Sequence, residues 1–128
     1  MRISLLSVLV DDQDKALNFY TTILGFIKKT EIPMGEHKWL TLVSKDVLDG
    51  VELVLEPIAF EPAKIYQKAL FEAGIPLVAF QVNDVDAEYS RLASLDVVFS
   101  LQPTQMGTAK IAVFNDTCGN RIQIFQVL

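Results

Sequence analysis

The feature that most constrains this sequence is that its second half repeats its first. Val10-Asp11-Asp12-Gln13-Asp14 aligns with Val82-Asn83-Asp84-Val85-Asp86, so Asp12 matches Asp84, Asp14 matches Asp86 and Leu5 matches Leu77, all at an offset of 72 residues. Further on, Val51-Glu52-Leu53 matches Ile122-Gln123-Ile124 at an offset of 71. A chain of 128 residues repeating once at that spacing is two copies of one supersecondary unit. Each curved sheet then needs a cover for its apolar face, from the other half or from a partner chain.

The order of elements supports the repeat. Ile3 to Val10 is short and rich in Leu and Val, which predicts a strand. Asp12 caps the helix that follows, with Ala16, Leu17, Tyr20, Ile23 and Leu24 on one apolar face and Gly25 closing it. Strands are expected at Phe26 to Ile32, Lys38 to Ser44 and Val51 to Glu56, with turns at Pro33-Met34-Gly35 and Asp49-Gly50. A bridging helix runs from Pro62 to about Ala73, with Ile65, Ala69 and Leu70 expected to face inward. The second half then predicts a strand at Leu77 to Val82 and a helix capped by Asp84, with Val85, Tyr89, Leu92 and Leu95 at helical spacing. Three more strands follow, at Val97 to Leu101, Lys110 to Phe114 and Arg121 to Val127, with a turn over Asp116 to Asn120. The fold class is α+β, in two β-α-β-β-β modules: module one over 1–57, a bridging helix over 58–74 and module two over 75–128.

Composition narrows the classes of function. Hydrophobic residues make up 51% of the chain, enough for a packed core, yet no apolar run is long enough to span a bilayer. The net charge is −5 and the 11 basic residues are scattered, which argues against a nucleic-acid binder. The single cysteine, Cys118, allows no intrachain disulfide, and the N-terminus leads straight into a strand pattern. A cytoplasmic protein is expected.

Two motifs carry a family resemblance. Asp12 to Gly25, with Asp14-Lys15-Ala16-Leu17, Phe19-Tyr20 and Leu24-Gly25, resembles the first helix of the glyoxalase/bleomycin-resistance family, also called the vicinal oxygen chelate family. Phe114-Asn115-Asp116-Thr117-Cys118-Gly119-Asn120-Arg121-Ile122-Gln123-Ile124 looks like that family's late hairpin, "F-x-D-P-D-G-N-x-I-E-L". The resemblance spans nearly the whole chain and implies a glyoxalase-like fold with curved mixed sheets. It is more specific for fold than for chemistry.

In metal-using members of the family, the first, fourth, fifth and eighth strands each supply one ligand to a concave site. Carried onto this sequence, those positions fall on Leu5, Glu52, Leu77 and Gln123. Two leucines donate nothing, and an open divalent site usually needs about three protein ligands. No metal is therefore expected, nor the metal-dependent isomerase and dioxygenase mechanisms of the family. The only histidine, His37, lies outside the ligand pattern.

What remains suits a pocket for a small, partly apolar ligand with a few polar anchors. Leu5, Ser7, Leu77, Arg121, Gln123 and Phe125 are candidate lining residues by the strand period of two. His37 and Trp39 share a face and are candidates for the pocket mouth, where the indole would stack on a planar ligand. Glu52 is the candidate catalytic residue, because a carboxylate shielded from water can act as a general base. The Asp11, Asp12 and Asp14 cluster reads as helix capping, since the spacing of a calcium loop is missing. The expected function is metal-free binding of a small molecule, with no cofactor and with the chain as a homodimer. The alternative is a glyoxalase-like lyase, isomerase or dioxygenase-type enzyme using Glu52 with an atypical metal or none.

Overall fold

Two aspartates 72 residues apart start the helix of each module in the same way. Asp12 and Asp84 are both extended, with φ of −147° and −146°, and each accepts a hydrogen bond from the amide three residues on, Lys15 at 2.9 Å and Ala87 at 3.0 Å. The computed structural model describes all of residues 1–128. Its elements are β1 (Leu5–Val10), α1 (Gln13–Asn18), β2 (Ile27–Met34), β3 (His37–Val43), β4 (Glu52–Pro57), α2 (Glu61–Glu72), β5 (Val78–Gln81), α3 (Val85–Ser94), β6 (Phe99–Met106), β7 (Ala109–Asn115) and β8 (Arg121–Val127). The chain divides into two compact units, Met1–Lys64 and Ile65–Leu128. No helix is long and apolar enough to cross a membrane.

The first unit holds a four-stranded mixed sheet in the order β1-β4-β3-β2, with only the β1–β4 pair parallel. Helix α1 lies on β3 and β4. Val8, Val10, Leu40, Leu42 and Leu55 on that face are fully buried, as are Ala16 and Tyr20 of the helix segment. Each large side chain so buried contributes roughly 1.5–3 kcal/mol. The second unit repeats this plan in the order β5-β8-β7-β6, with α3 against β6, β7 and β8. There Tyr89, Phe99 and Phe114 meet edge to face, with ring centroids 4.7 and 5.5 Å apart.

The repeat runs deeper than its first motif. Lys38 bonds Asp14 at 2.6 Å and Lys110 bonds Asp86, four residues related pairwise by 72. Met34-Gly35 and Met106-Gly107 enter the two edge hairpins at the same offset, with Gly35 at φ +64° and Gly107 at φ +62°. A two-residue hairpin turn requires such a left-handed first position, which glycine adopts without a Cβ clash.

In the last strand of each unit the offset changes. Thr41 pairs with Val54, and Val113 with Gln123, so β4 and β8 correspond at an offset of 69. The β1–β4 ladder agrees: Leu5 sits beside Glu52, and the amide of Leu77 bonds the carbonyl of Arg121. The expected match of Glu52 with Gln123 is thus two residues out of register. The counterpart of Glu52 is Arg121, and that of Gln123 is Val54. The physical reason is the connection over 44–51, which is three residues longer than that over 116–120.

Other elements also depart from the sequence expectation. The helix after Asp12 is α-helical only to Asn18, and a π-helical turn over Phe19–Ile23 completes it. β2 continues through Pro33 and Met34, and the turn falls on Gly35-Glu36. Proline is tolerated there because β2 is an edge strand. β6 extends from Phe99 to Met106, well past Leu101. Helix α2 buries none of its residues, and Ile65 is 64% exposed rather than inward-facing.

One irregularity separates the units. β7 and β8 pair without a break from Ala109–Val127 to Asn115–Arg121, whereas β3 and β4 register only at Thr41–Val54 and Leu42–Leu53. Beyond that point the buried side chain of Gln13 bridges the two strands. Its Nε2 donates to the carbonyls of Lys38 and Leu55, both at 2.8 Å, and its Oε1 accepts from the Lys38 amide at 3.0 Å.

Candidate functional site

The face of the first sheet opposite α1 is fixed by strand parity. Leu5 and Ser7 on β1 lie level with Glu52 and Val54 on β4 in the parallel ladder, so all four side chains share that face. Leu9 and Glu56 continue it on β1 and β4, and His37, Trp39, Thr41 and Val43 of β3 and Thr30, Ile32 and Met34 of β2 share it. Ile32 and Met34 are 53% and 62% exposed beside the half-buried indole of Trp39, Leu5 is 46% exposed at the other end of the face, and Thr41, Val43 and Val54 between them are buried.

Glu52 is the chemically distinctive residue on this face. It is half-buried, and its Oε1 accepts a 2.7 Å hydrogen bond from the hydroxyl of Thr41, which is itself fully buried. The Thr41 hydroxyl fixes one carboxylate oxygen and leaves the other without a protein donor. No lysine or arginine forms an ion pair with Glu52. Thr41 was not among the residues expected at the site. The available signal was its position two residues from Trp39 on one strand face.

His37 is exposed at the hairpin end of β3. Extending the β3–β4 register places Glu52 level with Val43, six residues from His37, or roughly 20 Å along the strand. His37 and Glu52 therefore cannot meet on one ion. Leu5, the ladder neighbour of Glu52, offers no donor atom. Nowhere in the structure do three or more His, Cys, Asp or Glu side chains come together as a metal-holding group.

In the second unit, Arg121, Gln123 and Phe125 point to one face of β8, and Leu77 precedes β5 beside Arg121. Gln123 and Phe125 are half-buried. Arg121 is engaged by the end of α2. Its Nε donates to the carbonyl of Phe71 at 2.9 Å and its guanidinium lies 4.2 Å from the centre of the Phe71 ring. The turn after β7 is held from within. Buried Asp116 accepts from the amides of Cys118 and Asn120 at 2.8 and 2.9 Å and from the Asn120 side chain at 2.7 Å. Gln67 of α2 donates to Asn120 Oδ1 at 3.0 Å. Cys118 is fully buried in this turn, so its thiol is not presented to a reactant.

Comparison with known proteins agrees with this architecture. The family model described as "Glyoxalase/Bleomycin resistance protein/Dioxygenase superfamily" matches residues 2–124. The chain belongs to that superfamily. Among curated relatives, YurT of Bacillus subtilis is 54% identical over 126 residues, which cover 98% of this chain and 99% of YurT. Among solved structures, UcmS2 is 31% identical with a TM-score of 0.83, covering 98% of this chain and 97% of UcmS2. TnmS3, an antibiotic-binding protein from Streptomyces sp. CB03234, is 28% identical with a TM-score of 0.78, covering all of this chain and 97% of TnmS3. A divalent ion of the kind used by metal-dependent superfamily members does not fit the donor set at the corresponding positions. Leu5 and Leu77 have no donor atoms, Gln123 at the eighth-strand position offers only an amide oxygen and corresponds in register to Val54, and Arg121, the register counterpart of Glu52, is a cation.

Proposed function

We propose that this superfamily member is a small-molecule-binding protein whose metal centre has degenerated. The proposed site is the face of the first sheet that carries Leu5, Ser7, His37, Trp39 and Glu52. Gln123 and Phe125 offer a second set of contacts on their own sheet, and Arg121 and Leu77 support that set. The observation that carries the proposal is the surrounding of Glu52: one leucine beside it, one threonine hydroxyl on its carboxylate, and no second ligating side chain. A face with exposed apolar side chains at its edges, an indole and the half-buried Glu52 carboxylate is suited to hold a partly apolar molecule and orient it through a polar contact. The antibiotic-binding character of TnmS3 points the same way. We further propose that the protein acts as a cytoplasmic homodimer, for which light scattering should give twice the chain mass of 14.3 kDa.

A second reading has one observation in its favour. The Thr41 hydroxyl holds the Glu52 carboxylate in a single orientation, as a general base requires. In that case Glu52 abstracts a proton from a bound carbon acid without a metal. A thermal-shift screen of small planar and apolar compounds in excess chelator tests the binding function: a ligand raises the melting temperature with chelator present. A rise that appears only with added divalent ion refutes it. Turnover of any hit by the wild type, lost in Glu52→Gln while binding persists, selects the enzymatic reading.

A further inference from the structure

The chain's sulfur is carried by three methionines and one cysteine, Met1, Met34, Met106 and Cys118. Met34 ends β2 and Met106 ends β6, each followed by a glycine in the left-handed region, so the two side chains stand at equivalent points of the two hairpins. In the ladders Met34 is level with His37 and Met106 with Ala109. Neither neighbour covers its methionine: His37 is itself exposed, and the alanine methyl is too short to reach over a thioether. Met34 and Met106 are accordingly 62% and 58% exposed. Core packing does not account for a methionine at either tip.

Cys118 is the opposite case. It is fully buried in the turn after β7, where its amide donates to Asp116 at 2.8 Å. Gln67 of α2 closes over that turn. It donates to the Cys118 carbonyl at 3.4 Å and stands so near Gly119 that a Cβ there would come within 2.8 Å of its Oε1. A thiol reacts as the thiolate and needs access to its reactant, and this turn gives none. A thioether carries no proton, so access governs its oxidation. The order expected from the free groups, thiol before thioether, is thereby reversed in the folded chain. With hydrogen peroxide, a methionine sulfur lone pair attacks one oxygen, the S–O bond forms and the O–O bond breaks. The proton of the new S–OH group passes to the departing hydroxide, which leaves as water. Sulfur is oxidised by two electrons to the sulfoxide and the peroxide is reduced.

We propose that Met34 and Met106 are a matched pair of modification sites for hydroperoxides, oxidised reversibly to sulfoxides in the folded chain while Cys118 stays reduced. Each oxidation puts a polar, chiral centre where a hairpin tip had an apolar one, and it leaves the core untouched because both side chains already stand in water. The same exposure opens the sulfoxides to enzymatic reduction without unfolding. The test is peptide mapping of the full chain by mass spectrometry during a time course in hydrogen peroxide, with the fully exposed Met1 as internal reference. Met34 and Met106 should each gain one oxygen atom at rates within about threefold of Met1. Cys118 should take up a thiol reagent only after the chain is unfolded. The two epimer-specific methionine sulfoxide reductases, with a dithiol as reductant, should remove both oxygens from the folded protein. A variant with Met34→Leu and Met106→Leu should keep the wild-type melting temperature and gain oxygen on Met1 alone, and the wild-type time course stands by itself if that variant does not fold. Oxidation of either methionine more than about tenfold slower than Met1 overturns the assignment, since the tip is then covered in solution. Oxidation of Cys118 ahead of the two methionines overturns it as well, and sulfoxides that resist both reductases overturn the reversibility.

Discussion

Replacing Gln13 with alanine should loosen the first sheet at one defined place. Gln13 makes three hydrogen bonds, two donated by Nε2 and one accepted by Oε1, and all three go to backbone groups of β3 and β4 where those strands no longer pair. A protein hydrogen bond contributes about 0.5–1.5 kcal/mol net, so three together suggest a loss of roughly 2–4 kcal/mol. The Leu55 carbonyl is buried and stands at the upper end of that range, while the Lys38 groups are partly reached by water and stand lower. Gln13→Glu should be at least as harmful, because a carboxylate keeps only the acceptor role and faces two carbonyl oxygens. Urea denaturation measures the loss, and hydrogen exchange locates it: the Lys38 amide should lose protection while Thr41 and Leu42, which remain in the ladder, keep theirs. The counterpart position in the second unit, Val85, bridges no such gap, because β7 and β8 pair throughout. A loss below about 0.5 kcal/mol in Gln13→Ala, or unchanged exchange at Lys38, would refute the bridging role.

Two smaller perturbations test the rest of the frame. Gly35→Ala and Gly107→Ala should each cost about 1 kcal/mol in denaturant unfolding, because both turn positions are left-handed and the added methyl meets no neighbour that could reward it. A neutral effect at both would mean the hairpins do not hold these turns. The ion pairs around Glu31 should show in pH dependence. The Lys28 ammonium, and then that of Lys38, holds the Glu31 carboxyl below the usual glutamate value. A folded-state value lowered in this way stabilises the protein above the ordinary glutamate range and ceases to do so as pH falls through the lowered value. The wild type should therefore lose its stability advantage over Glu31→Gln on acidification, and high salt should shrink that advantage at neutral pH. An advantage that grows towards acid pH would contradict the assignment.

Much of the fold was legible because local and repeated signals coincided. Asp12 and Asp84 announced the helix of each module, and the period of two put Ser7 on the face of Leu5 and Trp39 on that of His37, as the ladders have them. What could not be read depended on lengths and contacts distant in sequence. The three extra residues in the connection over 44–51 shifted β4 against β8, so the similar apolar-polar-apolar triplets at Glu52 and Gln123 suggested a correspondence that the ladder does not have. Arg121 looked like a pocket residue, yet its guanidinium meets Phe71, fifty positions away in sequence. Ile65 lies on a helical apolar stripe, but periodicity gives the stripe without saying whether anything covers it. Thr41 carries no chemistry of its own, and only the 2.7 Å contact with Glu52 reveals its part in the candidate site.

The central claim, binding without a metal, is tested most directly by the metal content of untagged protein purified without chelator or nickel resin, measured by mass spectrometry against protein concentration. The donor set around Glu52 predicts far less than one divalent ion per chain, and no saturable uptake when zinc, manganese or nickel is added at micromolar concentration. One tightly held ion per chain, lost on Glu52→Gln, would contradict it.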